Sequence, residues 1–140
     1  DILVSSNLER LLYALCGSDV EVAGYMQQLR EQGSYTVSDA LKAKIQEVFA
    51  GGFCNDIQTR EKIGHAWRDH RYLIDTHTAV AWDVAQQYKQ ANPEHNAVVV
   101  LSTASPYKFP AAVLEGIGEK AEGDEFDVME QLHKVSGELE

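Results

Sequence analysis

At 140 residues, with 44% hydrophobic and 24% charged side chains, the chain is long enough for one core of ordinary domain size, which excludes a disordered tail. Its 22 acidic against 12 basic residues give a formal charge of -10, a field that repels polyanions and argues against nucleic acid as a partner. The longest apolar runs, such as residues 97–101, are far too short to span a bilayer, no signal-peptide pattern opens the chain, and Cys16 and Cys54 form no Cys-x-x-Cys pair, which fits reduced thiols in the cytoplasm.

Ser6 and Glu9 form a capping box, Leu8, Leu11, Leu12 and Leu15 make one stripe, and Gly17 supplies a stop, so a first helix is expected here. A second runs from Asp19, with Val22, Tyr25, Met26 and Leu29 at helical spacing and Gly33 closing it. Ser38 caps a third, in which Leu41, Ile45, Val48 and Phe49 face inward ahead of Gly51-Gly52. Residues 53–57 read as a short strand. Thr59 caps a fourth helix that buries Ile63 and Trp67, and Thr76 caps a fifth. Ala79, Val80, Ala81, Trp82, Val84 and Ala85 make the first half of that fifth helix apolar on nearly every side, the mark of a buried element.

After Asn92-Pro93, the unalternating run Ala97-Val98-Val99-Val100-Leu101 reads as a strand covered on both faces, as in a parallel sheet packed between helices. Ser102, Thr103 and Ser105 would then be delivered to the carboxyl edge of the sheet, where ligands sit in such folds. Pro110 suits the first turn of a helix through Val113, Leu114 and Ile117. A polar turn at Glu122-Gly123-Asp124 leads to a last helix with Phe126, Met129, Leu132 and Val135 on one face. The chain is expected to fold as one domain or subdomain, without internal repeats.

Three segments carry a family resemblance. LSTASPYKFP, residues 101–110, resembles the carboxyl-terminal signature of the threonine synthases, pyridoxal-phosphate enzymes of fold type II. Leu73-Ile74-Asp75-Thr76-His77-Thr78-Ala79-Val80-Ala81-Trp82 is similar to that family's Asp-Pro-His-Thr-Ala-Val-Ala segment, with Thr76 where the family usually has Pro. Residues 1–12, DILVSSNLERLL, resemble a segment downstream of its glycine-rich cofactor loop. The matches keep the family's order from Asp1 to about Phe109, and the tail after Glu119 adds none.

The resemblance implies an α/β, helix-rich, three-layer fragment of a fold type II enzyme, with a few mostly parallel strands completed by the missing amino-terminal part of the same protein. The parent would convert O-phospho-L-homoserine and water to L-threonine and phosphate, with pyridoxal 5'-phosphate as cofactor. Thr103 maps onto the hydroxyl that faces the pyridine nitrogen, and Ser102 stands beside it as a second cofactor-binding residue. His77 and Thr78 open a helix, where amides and dipole favour an anion, and with Lys108 they are substrate-pocket candidates. None of Lys42, Lys44, Lys62, Lys89, Lys108, Lys120 or Lys134 lies in a segment like the family's Schiff-base motif. The chain also starts without Met inside a matching block, so an excised fragment, inactive alone and with no catalytic residue of its own, is expected.

Other chemistry is less well supported. His65, His70, His77, His95 and His133 include no pair at the i, i+4 spacing of a helical zinc site, so no metal is expected. No Gly-x-Ser-x-Gly elbow offers a hydrolase nucleophile. Two readings compete with threonine synthase: another type II pyridoxal enzyme such as a threonine dehydratase or cysteine synthase, and a non-catalytic threonine-synthase-like interaction module.

Overall fold

A computed structural model describes residues 4–94 and 97–137, and the chain divides into two compact units, residues 1–50 and 51–140. The first three residues of the amino-terminal matching segment lie outside the described residues, as does His95.

The first unit is three helices, α1 (Ser6–Cys16), α2 (Asp19–Gln32) and α3 (Asp39–Gln46), with α1 packed on both others. Leu12, Val22, Tyr25 and Leu41 are buried at its centre, and Leu15, Met26 and Ile45 lean on them. Gly17 and Gly33 end α1 and α2 in the left-handed conformation that glycine adopts most cheaply. Ser5, not Ser6, caps α1, its hydroxyl accepting from Leu8 N at 3.3 Å. The helix α3 stops at Gln46, so Val48 and Phe49 fall beyond it and are exposed instead of facing inward.

The second unit holds α4 (Asp56–His70), α5 (Thr76–Ala91), a single 3-10 turn (Pro106–Lys108), α6 (Pro110–Ile117) and α7 (Glu125–Ser136). Its core joins Ile63, Ala66, Ala79, Val113, Leu114 and Leu132, with α4 packed on α5 and α6, and α6 on α7. The crossing of α4 and α6 depends on two glycines. A Cβ on Gly64 would stand 2.5 Å from the Gly116 carbonyl oxygen, and one on Gly116 would stand 2.9 Å from the Ile63 side chain. Lys62 and Asp83 form a largely buried ion pair between α4 and α5 at 3.2 Å.

Two cap expectations for this unit are overturned. Asn55 caps α4 through a reciprocal box with Gln58, and Thr59 sits one turn later, donating its hydroxyl proton to the Asn55 carbonyl at 2.9 Å. Asp75, not Thr76, caps α5. No strand occurs among the described residues, neither at residues 53–57 nor at 97–101. A strand exists only through pairing, and residues 97–104 make no backbone hydrogen bond among the described residues. Val99 is 84% exposed, and the pairing expected for residues 97–101, which was to be completed by the missing amino-terminal part, is not formed among the described residues. The fifth helix is also less buried than its composition suggests: Thr78 and Ala79 are buried, Ala81 is exposed, and the other apolar residues are half-buried.

Candidate functional site

The site grows from the amino terminus of α5. Four backbone N–H groups at a helix start lack intrahelical partners, and a carboxylate at the cap position answers both their hydrogen-bonding need and the helix dipole. Asp75 does this while fully buried, at 0% exposure. Its Oδ1 accepts from His77 N at 2.8 Å and lies 3.2 Å from His77 Nδ1; its Oδ2 accepts from Thr78 N at 3.4 Å and from the Thr78 hydroxyl. Four contacts fill the lone-pair positions of an ionised carboxylate, which has no proton to give. His77 Nδ1 is therefore the protonated ring nitrogen in this contact, and Nε2 is left for other partners.

Thr78 joins this cap to the signature segment. Its Oγ1 lies 3.1 Å from Ser102 Oγ, a contact made across 24 positions of sequence. Beyond Ser102, Thr103 is exposed, and no hydrogen bond engages its hydroxyl among the described residues. Ser105 turns its hydroxyl inward along the chain, accepting from Tyr107 N at 3.2 Å to start the 3-10 turn. Tyr107 is buried, and this anchors the segment just before Lys108 and Phe109.

Phe109 brings the remaining two predicted residues together. The His77 ring lies tilted against it with centroids 5.0 Å apart, and Lys108 Nζ stands 5.7 Å from the same ring centroid. The imidazole is 51% exposed, so its free nitrogen can meet a ligand. Ser102, Thr78 and His77 thus form one hydrogen-bonded cluster through Asp75, Lys108 adjoins it through Phe109, and Thr103 follows Ser102 at its rim. An open groove of about 450 Å³ flanks Phe109, lined also by Pro110, Ala112, Gly123 and Val128; neither Ser102 nor Thr103 lines it.

Sequence reasoning missed Asp75 and Phe109 as members of this cluster. Asp75 stood in the quoted motif, and an Asp directly before Thr-His-Thr at a helix start is itself a cap signal. Phe109 carried no such signal, because its role depends on two rings meeting across 32 residues. Among the described residues, no group of three or more His, Cys, Asp or Glu could hold a metal ion, and no helix is long and apolar enough to cross a membrane. Both cysteines are free thiols.

Residues 78–139 match the family model for the threonine synthase carboxyl-terminal region. The chain is 36% identical over 121 residues to threonine synthase from Pseudomonas aeruginosa, which covers 85% of this chain and 25% of that protein. It is 30% identical over 118 residues to threonine synthase-like 1 from Homo sapiens, covering 84% of this chain and 16% of the relative. The pyridoxal-phosphate-bound threonine synthase from Brucella melitensis superposes with a TM-score of 0.67 at 30% identity, over 96% of this chain and 31% of that one. The chain therefore spans a third or less of these relatives. Sequence and fold agree that this chain belongs to the threonine synthase family.

Proposed function

We propose that the chain is the carboxyl-terminal part of a threonine-synthase catalytic domain, and that its parent converts O-phospho-L-homoserine and water to L-threonine and phosphate in the cytoplasm, using pyridoxal phosphate. The observation that carries this reading is the Ser102-Thr103 hydroxyl pair, tied to the α5 cap through Thr78 and carrying one exposed, unengaged hydroxyl. Bound pyridoxal phosphate supplies an electron sink for the substrate's Cα.

The residues present fit that group. The Thr103 hydroxyl has a proton free to donate to an unprotonated ring nitrogen, and as a neutral group it does not hold a pyridinium as a carboxylate would. Ser102 would lie against the ring edge. His77 presents Nε2 beside the α5 amino terminus, and Lys108 adds a positive charge near the same Phe109 ring; together they suit the phosphate of an anionic substrate. Because no lysine of this chain lies in a segment like the family's Schiff-base motif, we infer that the 140 residues alone turn over nothing.

The test uses the full-length parent. Thr103→Val keeps the shape and removes the proton; phosphate release from O-phosphohomoserine should fall about 10²-fold, the cost of one well-placed donor, while Thr103→Ser stays within about tenfold of the unaltered enzyme. A Thr103→Val enzyme of full activity removes the assigned role. The alternative is a non-catalytic threonine-synthase-like module. A parent that binds no cofactor and releases no phosphate supports that reading.

A further inference from the structure

A fully buried carboxylate orients a half-exposed imidazole at the start of α5, and we infer that His77 is a catalytic residue of the parent reaction, the acid that hands a proton to the departing phosphate. This rests on the reading of the parent as an enzyme that consumes O-phospho-L-homoserine. Near neutral pH an alkyl phosphate is a dianion, so breaking its bond to carbon expels the trianion unless a proton reaches the bridging oxygen as the bond opens. A positive charge such as Lys108 eases that expulsion, but only a transferable proton avoids the strongly basic product.

The cluster around Asp75 makes such a proton available at one atom. Asp75 Oδ1 lies 3.2 Å from His77 Nδ1 and also accepts from His77 N at 2.8 Å, while Oδ2 accepts from Thr78 N at 3.4 Å. A carboxylate fixed by two backbone amides cannot turn away from the ring, so Nδ1 keeps its proton in both ring states and Nε2 alone gains or loses one. Phe109 braces the ring at 5.0 Å between centroids, and 51% of the side chain is exposed, which leaves Nε2 open to a ligand and to solvent. Two charged groups bear on this imidazole: Asp75 behind it, and Lys108, whose Nζ stands over the same Phe109 ring. In the step itself the Cγ–O electron pair goes to oxygen while Nε2 passes that oxygen a proton, and hydrogen phosphate leaves. The Cβ–H pair becomes the Cβ–Cγ double bond, its proton going to an amine base from the rest of the parent. The imidazole then recovers a proton from water.

Nitrogen NMR of histidine-labelled chain at alkaline pH reads the ring without cofactor or turnover. Neutral His77 should carry its proton on Nδ1, opposite to the preference of free histidine, and a neutral form protonated on Nε2 overturns the inference. In the full-length parent, His77→Gln keeps a hydrogen-bond donor and has no proton to transfer. Its kcat with O-phospho-L-homoserine should fall about 10²-fold, whereas with O-sulfo-L-homoserine, whose leaving sulfate needs no proton, it should stay within about threefold. Equal losses with both esters make His77 a binding group and overturn the inference, as does no loss with either. Where the unaltered parent does not act on the sulfate ester, His77→Ala with added buffer decides. Imidazole should restore phosphate release about tenfold, and tetramethylammonium, a charge with no proton to give, should not; equal effects of the two, or none, overturn the inference. An unaltered parent that releases no phosphate sinks the functional reading, whereas an active parent indifferent to His77→Gln sinks this inference alone.

Discussion

Replacing Asp75 by alanine would remove the acceptor of the His77 and Thr78 amides and leave the Thr78 hydroxyl with Ser102 Oγ alone. Losing a helix cap costs about 1 kcal/mol, and leaving buried donors unpaired adds to it, so Asp75→Ala should destabilise the second unit by about 2–4 kcal/mol. Asn55→Ala removes an exposed cap from α4 and should cost about 1 kcal/mol. Urea unfolding followed by circular dichroism checks both, and equal losses would mean that burial of Asp75 adds nothing. At this scale the sequence was only partly legible. The caps expected at Ser6, Thr59 and Thr76 lie at Ser5, Asn55 and Asp75. Each error chose a competent hydroxyl downstream of the residue that caps. Local chemistry allows either choice. What decides is where the chain enters the helix, because the residue left in extended conformation just before the first turn is the one whose side chain reaches the free amides. The Thr78–Ser102 contact was also beyond local reading: neither residue signals the other across the intervening helix.

At the scale of elements, glycine has opposite meanings at two places. In α2, Gly24 has nothing within 4 Å of where a Cβ would stand, so Gly24→Ala should stabilise the first unit by about 0.5–1 kcal/mol through helix propensity alone. In α4, Gly64→Ala gains the same propensity but drives its methyl into a backbone carbonyl of α6, which cannot swing aside as a side chain could. Overpacking of this kind costs about 1–3 kcal/mol, so Gly64→Ala should be neutral to clearly destabilising, and it should be the worse of the two by denaturant midpoint. If the two variants shift the midpoint alike, α4 and α6 do not pack as described. The helices were readable because periodic stripes such as Val22, Tyr25 and Met26 record a face locally. The strand was not. Residues 97–101 have the composition of a covered strand, yet a ladder requires a neighbour, and composition names none.

Among the described residues, the chain joins a modest three-helix unit with four buried apolar core residues to a larger one with ten. The smaller core is near the limit at which burial offsets chain entropy, so most of the stability is expected to reside in the larger unit. Family membership was legible because short motifs stand at both ends of the larger unit's site; Gly51-Gly52 marks the break between the two units, but a Gly pair signals a turn as readily as a boundary. The bare valines at positions 98 and 99 have a consequence for how copies of this chain behave together. A short aliphatic stretch whose amides and carbonyls are unclaimed can recruit the same stretch from another molecule, and the repulsion of net charge -10 weakens as salt rises. Turbidity at high protein concentration should therefore grow with ionic strength, and Val99→Glu should suppress it while leaving the unfolding midpoint unchanged. The colloidal lifetime of the chain would then be governed by five residues that contribute little to its own core.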